Sequence, residues 1–141
     1  MVSFGRDPVH LAHGVIAPPP KLSREKRLLA IFEGLSEIIA KHHPTVASVE
    51  EPFVAANVRS AFAIGEARAA AMLAVARAGI ELHSYSPAAV KETVVGYGRG
   101  EKQQVQEMVR LQLGLKDAPQ PFDAADALAI AICHGLRARI T

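Results

Sequence analysis

The 141-residue sequence has a single cysteine and no long uninterrupted apolar run. A lone cysteine excludes an internal disulfide framework, and Cys133, which stands among alanine and isoleucine residues, is expected to lie in the core. Although half of the residues are hydrophobic, no stretch approaches the roughly 18 consecutive apolar residues of a membrane span. The opening segment MVSFGRDPVH lacks a basic region followed by an apolar run, so no secretory signal is predicted and a reducing cytoplasm is expected.

The sequence also has little excess charge of either sign. A formal net charge of +2 permits nucleic-acid binding without requiring it. Basic residues gather in segments 21–27, 58–68 and 90–102, whereas acidic residues stand out around Glu50 and Asp123. Helix surfaces with mixed charges produce much of this pattern, so a DNA-facing basic surface and an ordinary solvated surface both remain open.

Apolar spacing and breaker residues predict strands alternating with helices. The predicted strands cover 10–18, 45–51 and 80–85, and the predicted helices run from Ser23 to before Pro44 and over 59–78, 87–95, 101–113 and 123–137. This alternation favours an α/β layer fold with a partly parallel sheet. The length is that of one domain, so residues 1–141 are predicted to form a single domain.

Two aspartates open the last predicted helix in the segment FDAADALAIAICHG. Asp123 and Asp126 are three residues apart, so they share one helical face, and their like charges require compensation. One interpretation is structural: Asp123 is a suitable N-cap, and acids in the first turn complement the helix dipole. The other is a divalent cation held by the pair, with Mg²⁺ favoured because it takes oxygen ligands.

A third acid lies at the predicted end of the strand TVASVE. Glu50 follows the apolar residues Val46 and Val49, and ligands bind at the carboxyl ends of strands in α/β sheets. It is either a solvated rim residue or a partner of Asp123 and Asp126. In the second case three carboxylates would surround one cavity, as a metal-dependent phosphodiester hydrolase requires.

Three separated blocks resemble one family in the same order and with compatible spacing: SVEEPFVAANVRSAFAIGEARAAAM, AAVKETVVGYGRGEKQQVQEMV and DAADALAIAICH. They are similar to RuvC, the bacterial Holliday-junction resolvase family, over roughly residues 10–137. The resemblance implies a ribonuclease H-like α/β fold, with a mixed sheet flanked by helices. It also implies a homodimeric endonuclease that nicks four-way DNA junctions symmetrically in recombination and repair, with the RuvA–RuvB branch-migration motor as a further expected partner.

The same resemblance assigns site residues. Glu50, Asp123 and Asp126 match metal-ligating acids of the family, and they are expected to hold Mg²⁺, or Mn²⁺ in its place, as two ions per active site. Lys91 matches a basic position near the scissile phosphate, and Lys102 matches one near the DNA backbone. Without the matching blocks, both would be read as exposed helix lysines.

Two further residues complete the expected DNA-binding set. Phe53 matches an aromatic position near the junction, where stacking on an unpaired base is worth about 1–3 kcal/mol, although core packing is its alternative role. Arg99, in the basic segment 90–102, is expected to contact DNA beside Lys91 and Lys102.

The N-terminal segment departs from the family pattern. Members open with a strand that bears a GIDPG-like motif, whose aspartate is a fourth metal ligand. In this chain Asp7 precedes Pro8 without a preceding apolar strand, so GRDP is interpreted as the tip of a hairpin and the first strand is expected to be missing. Loss of that strand and its ligand predicts that the chain as written is poorly soluble or inactive. The alternatives are a non-catalytic branched-DNA binding paralogue and another ribonuclease H-like nuclease.

Overall fold

The computed structural model describes residues 1–52, 57–96 and 101–139. Within these ranges the chain forms short strands and longer helices in the order β1 (Val2–Phe4), β2 (Pro8–His10), α1 (Arg24–His42), β3 (Val46–Glu50), α2 (Val58–Arg77), β4 (Glu81–Tyr85), α3 (Pro87–Val95), α4 (Lys102–Gln112) and α5 (Phe122–Ala138). The five helices and the strands β3 and β4 agree with the predicted elements to within about two residues. No helix in these ranges is both long and apolar enough to cross a membrane.

Local side-chain chemistry explains where several helices begin. The Asn57 side chain accepts hydrogen bonds from the backbone N–H groups of Arg59 (2.9 Å) and Ser60 (3.4 Å) at the start of α2. The Ser86 hydroxyl accepts one from Ala89 (3.2 Å) at the start of α3, where Pro87 occupies the first turn. Such caps satisfy backbone donors that have no partner inside the helix, so the sequence alone locates these boundaries.

The N-terminal segment is a short antiparallel hairpin. Strands β1 and β2 pair in the register Val2 to His10 and Phe4 to Pro8, which leaves GRD at the turn and confirms GRDP as a hairpin tip. The predicted strand 10–18 is wrong beyond His10, because residues 11–19 have no regular structure. The backbone N–H groups of Leu11 and Ala12 both bond to the Met1 carbonyl (3.1 and 3.4 Å), which ends the ladder.

By its contacts the chain divides into two compact units. The first unit comprises residues 1–15, 48–51 and 84–141, and its buried core lies where α3, α4 and α5 pack together. Leu128, Ile132 and Cys133 of α5 have no exposed surface, which confirms the predicted core position of Cys133. Gly135 lets the Phe4 ring approach α5, since a Cβ atom there would lie 2.1 Å from the ring.

The second unit comprises residues 16–47 and 52–83 and is built on the pairing of α1 with α2. Ala70, Ala74 and Val75 of α2 are buried in it. Arg24 forms an ion pair with Glu66, and the Arg77 guanidinium lies 5.6 Å from the centre of the Phe32 ring. Strands β3 and β4 pair with one another as a two-stranded sheet, and residues 48–50 and 84–85 of this sheet belong to the first unit. The single domain 1–141 stays a prediction.

Candidate functional site

Glu50 is the last residue of β3, as the sequence predicts. Although the residue is exposed as a whole, its carboxyl group is partly screened from water, and this burial raises its pKa. The charge of Asp126 raises the pKa further, whereas the charges of Lys91 and Lys102 lower it. Glu50 therefore lies within electrostatic reach of one acid and two bases from other elements.

Asp126 lies on α5 and is half-buried. Burial raises the pKa of its carboxyl group, and the charge of Asp123 raises this pKa further. The charges of Lys102 and Lys91 lower the same pKa. Lys91 and Lys102 lower the pKa of both acids, so the two acids share the same basic neighbours. The structure thus brings together Glu50, Asp126, Lys91 and Lys102, with Asp123 beside Asp126.

Asp123 is not the N-cap of α5, so the capping part of the structural interpretation is wrong, whereas its place in the first turn is confirmed. The N-cap is Pro121, whose carbonyl accepts hydrogen bonds from the N–H groups of Ala124 (3.0 Å) and Ala125 (3.3 Å). Asp123 is the second residue of the helix and is exposed to solvent. Inside the first turn a side chain complements the helix dipole, but its carboxylate remains available to a ligand.

The chemistry of these donors fits a hard divalent cation. Carboxylate oxygens are the ligands that Mg²⁺ takes in proteins, and a cation beside Glu50 and Asp126 would offset the burial and the like charges that raise their pKa values. In the described part of the chain, no group of three or more His, Cys, Asp and Glu side chains is gathered closely enough to hold a metal ion. The three-carboxylate site of Glu50, Asp123 and Asp126 therefore stays a prediction.

The two lysines reach the acids from different helices. Lys91 is a half-buried residue of α3, and Lys102 is the first residue of α4. The start of α4 is fixed by a hydrogen bond of 2.8 Å that the Glu101 backbone N–H donates to the Gln104 side chain. The Lys102 ammonium lies 5.8 Å from the centre of the Phe122 ring, a cation–π arrangement at the beginning of α5.

Other predicted residues lie away from this cluster or outside the described residues. Phe53 and Arg99 fall in the segments 53–56 and 97–100, which lie outside the described ranges. Asp7 is exposed at the turn between β1 and β2, as its place in GRDP predicts. The cluster of acids and lysines is therefore assembled without it.

Sequence reasoning missed three contacts in the first unit. Phe122 was assigned no role, although it directly precedes Asp123. The Tyr85 hydroxyl and the Nδ1 atom of His134 are 2.8 Å apart, a bond between β4 and α5 that no local pattern signals. His10 and His13 are also hydrogen-bonded, and their HxxH spacing was an available signal.

Comparison with known proteins identifies the family. The family model for RuvC, crossover junction endodeoxyribonuclease, matches residues 2–134. A RuvC protein of Heliobacterium modesticaldum is 52% identical over 123 residues, which are 87% of this chain and 76% of that protein. A RuvC protein of Chloroflexus aurantiacus is 51% identical over 125 residues, with 89% and 76% covered.

Solved structures give the same result at the level of the fold. The structure of Thermus thermophilus RuvC matches with a TM-score of 0.88 and 34% identity, covering 99% of this chain and 86% of that one. The same protein in complex with a Holliday junction substrate matches with a TM-score of 0.93 at the same identity and coverage. These matches confirm the predicted ribonuclease H-like α/β fold, with strands and flanking helices. The chain belongs to the RuvC family of crossover junction endodeoxyribonucleases.

Proposed function

We propose that this protein is a Mg²⁺-dependent endonuclease that resolves four-way DNA junctions by symmetric nicking in recombination and repair. The observation that supports it most directly is the cluster around Glu50 and Asp126: burial and the charge of Asp126 raise the pKa of Glu50, and Lys91 and Lys102 lie within electrostatic reach of both acids. Two acids flanked by two bases, in a chain of this family, suit hydrolysis of a phosphodiester.

Glu50, Asp123 and Asp126 would hold the metal, as one or two Mg²⁺ ions or Mn²⁺ in their place. A bound ion of this kind supplies a Lewis acid and lowers the pKa of coordinated water. Lys91 is half-buried near the acids, and its ammonium would neutralise charge that develops on the scissile phosphate. Lys102 is exposed at the start of α4 and would contact the backbone of the bound strand.

The remaining parts of the proposal concern DNA and partners. Phe53 would stack on an unpaired base, and Arg99 would contact the DNA backbone beside Lys102.

Symmetric nicking of a two-fold junction needs two active sites, which a homodimer with two-fold symmetry supplies. Helix α2 supports this, because Val58, Phe62 and Leu73 on one face of it are 70%, 64% and 62% exposed. A branch-migration motor of the RuvA–RuvB type and a cytoplasmic location belong to the same proposal.

The deciding experiment compares cleavage and binding for Asp126→Asn in a chain to which the first strand implied by the family resemblance has been added, because the chain as written is expected to be inactive. We expect loss of Mg²⁺-dependent nicking of a four-way junction, because one charged ligand is removed, while junction binding in a gel shift stays equal or becomes tighter. Asp7→Asn is the matched control, since this exposed turn aspartate lies outside the cluster and its change should leave nicking unaltered.

The same assay separates the alternatives. A branched-DNA binding paralogue would bind junctions with no Mg²⁺-dependent cutting, even after the first strand has been added. Another ribonuclease H-like nuclease would cut plain duplex or hybrid duplex in preference to junctions. Retained cutting in Asp126→Asn, or loss of binding with the fold intact, would count against Asp126 as a metal ligand.

A further inference from the structure

Two histidines in the N-terminal hairpin region face each other through their ring nitrogens. The Nε2 atom of His10 and the Nδ1 atom of His13 are 2.8 Å apart. The ring centres are 5.0 Å apart and the ring planes are tilted by 59°. His13 is exposed and His10 is half-buried, so the nitrogen pair is open to solvent on one side.

The backbone that bears these rings is held in place. His10 pairs with Val2 in the β1–β2 register, and the N–H groups of Leu11 and Ala12 bond to the Met1 carbonyl. The backbone of His10 and of the two residues between the histidines is therefore held by hydrogen bonds. The protein would therefore lose little backbone freedom when it binds a ligand that needs both nitrogens.

Neutral imidazole has one nitrogen without a proton, and this is the form that binds metals. In the hydrogen bond between the rings, one of the two facing nitrogens carries the proton. Both facing nitrogens can act as ligands when that proton lies on the outer nitrogen of its ring.

The distance between the two ring nitrogens can be compared with the distances that different metal geometries require. Two nitrogens in adjacent positions of a square-planar or octahedral site, each about 2.0 Å from the metal, lie about 2.8 Å apart. In a tetrahedral site at the same bond length they lie about 3.3 Å apart. The observed 2.8 Å separation is that of the hydrogen bond between the rings, and it also equals the nitrogen separation of the first arrangement, which Cu²⁺ and Ni²⁺ prefer.

We propose that His10 and His13 form a two-histidine chelate for Cu²⁺ or Ni²⁺, separate from the acidic cluster at Glu50 and Asp126. Water completes the coordination, because in the ranges that the structure describes no third histidine, cysteine or carboxylate joins the pair. Nitrogen ligands disfavour Mg²⁺, which takes oxygen, so the two sites select different ions.

Calorimetric titration of the full chain with CuCl₂, in a buffer that does not chelate copper, tests this site directly. We expect a binding step that is weakened at least about tenfold by His10→Ala and equally by His13→Ala, because each change removes one arm of the chelate. The electron paramagnetic resonance spectrum of the bound Cu²⁺ should show coupling to nitrogen, and that coupling should decrease in both variants.

His83→Ala is the matched control, since it removes a histidine outside the pair. It should leave the copper affinity and spectrum unchanged, and circular dichroism should show that all three variants fold. Equal copper binding by the unmodified chain and by His10→Ala and His13→Ala would overturn the proposal. Loss of the binding step only in His83→Ala would overturn it as well. Neither result depends on whether the protein cuts DNA.

Discussion

At the scale of single residues, the acidic cluster is costly to the protein without a cation. Burial raises the pKa values of both Glu50 and Asp126, the charge of Asp126 adds to the rise at Glu50, and the charge of Asp123 adds to the rise at Asp126, so keeping both acids ionised near neutral pH costs free energy. Lys91 and Lys102 offset part of that cost. Under the proposed function, a bound cation would offset more of it.

The ring of Phe122 provides a residue-scale prediction about Lys102. A cation–π contact at an exposed site is worth about 0.5–1 kcal/mol, so Phe122→Leu should slow single-turnover junction cleavage about two- to fivefold. Phe122→Tyr keeps an aromatic face and should stay close to the unmodified rate. In a Lys102→Ala background, Phe122→Leu should have no further effect.

That double-mutant comparison separates positioning of Lys102 from a general structural role. A structural defect would slow cleavage equally in both backgrounds, and it would also lower the thermal midpoint of Phe122→Leu below that of Phe122→Tyr. Equal slowing in the Lys102→Ala background would therefore contradict the prediction.

At the scale of elements, contacts with β1, β3 and β4 fix α5 in the first unit. The Ser48 hydroxyl donates to the Ile130 carbonyl (3.4 Å), and Tyr85 is bonded to His134. Phe4 of β1 lies against Gly135. These contacts lie along α5 beyond Asp126, so they hold the helix that bears the acids without occupying the site.

The approach of Phe4 to α5 predicts a large effect of Gly135→Ala. The added Cβ atom would lie within 2.3 Å of ring atoms, and overpacking of this kind costs typically about 1–3 kcal/mol in the free energy of unfolding. Urea denaturation measures that loss, and adding Phe4→Leu should restore part of it.

Gly65→Ala provides the matched control for that substitution. Nothing lies within 4 Å of the Cβ position at Gly65, and alanine is favoured over glycine inside a helix by about 1 kcal/mol. This change in α2 should therefore leave stability equal or raise it. A stable Gly135→Ala protein would show that the Phe4 ring moves away without cost.

The sequence predicts elements better than it predicts contacts between them. Apolar spacing and the caps at Asn57 and Ser86 are local, so the helix boundaries were predicted closely. The strand 10–18 was not, because a strand ends where its partner stops pairing, and here Met1 collects the next two N–H groups. The meeting of Glu50 with Asp126 depends on elements far apart in sequence. The position of Glu50 at the end of a strand predicted it only as one of two alternatives, and the family resemblance then favoured it.

At the scale of the whole molecule, the exposed apolar face of α2 predicts how copies associate. Phe62→Glu would place a charge in the proposed dimer interface, where burying it costs several kcal/mol, so the sedimentation coefficient should fall to that of a monomer. Leu111→Glu is the matched control, because Leu111 is 55% exposed on α4 in the other unit. A dimer that persists in Phe62→Glu would exclude this face of α2 as the interface.

The acidic cluster joins residues of β3 and α5, so it forms only after the ribosome has synthesised both elements. Glu50 leaves the exit tunnel long before Asp123 and Asp126 have been translated. Helix α5 also supplies Leu128 and Ile132 to the core of the first unit, so that core cannot close around an earlier nascent fragment. A ribosome-bound chain that ends before α5 therefore has neither the paired acids nor the helix that supplies Leu128 and Ile132 to the core.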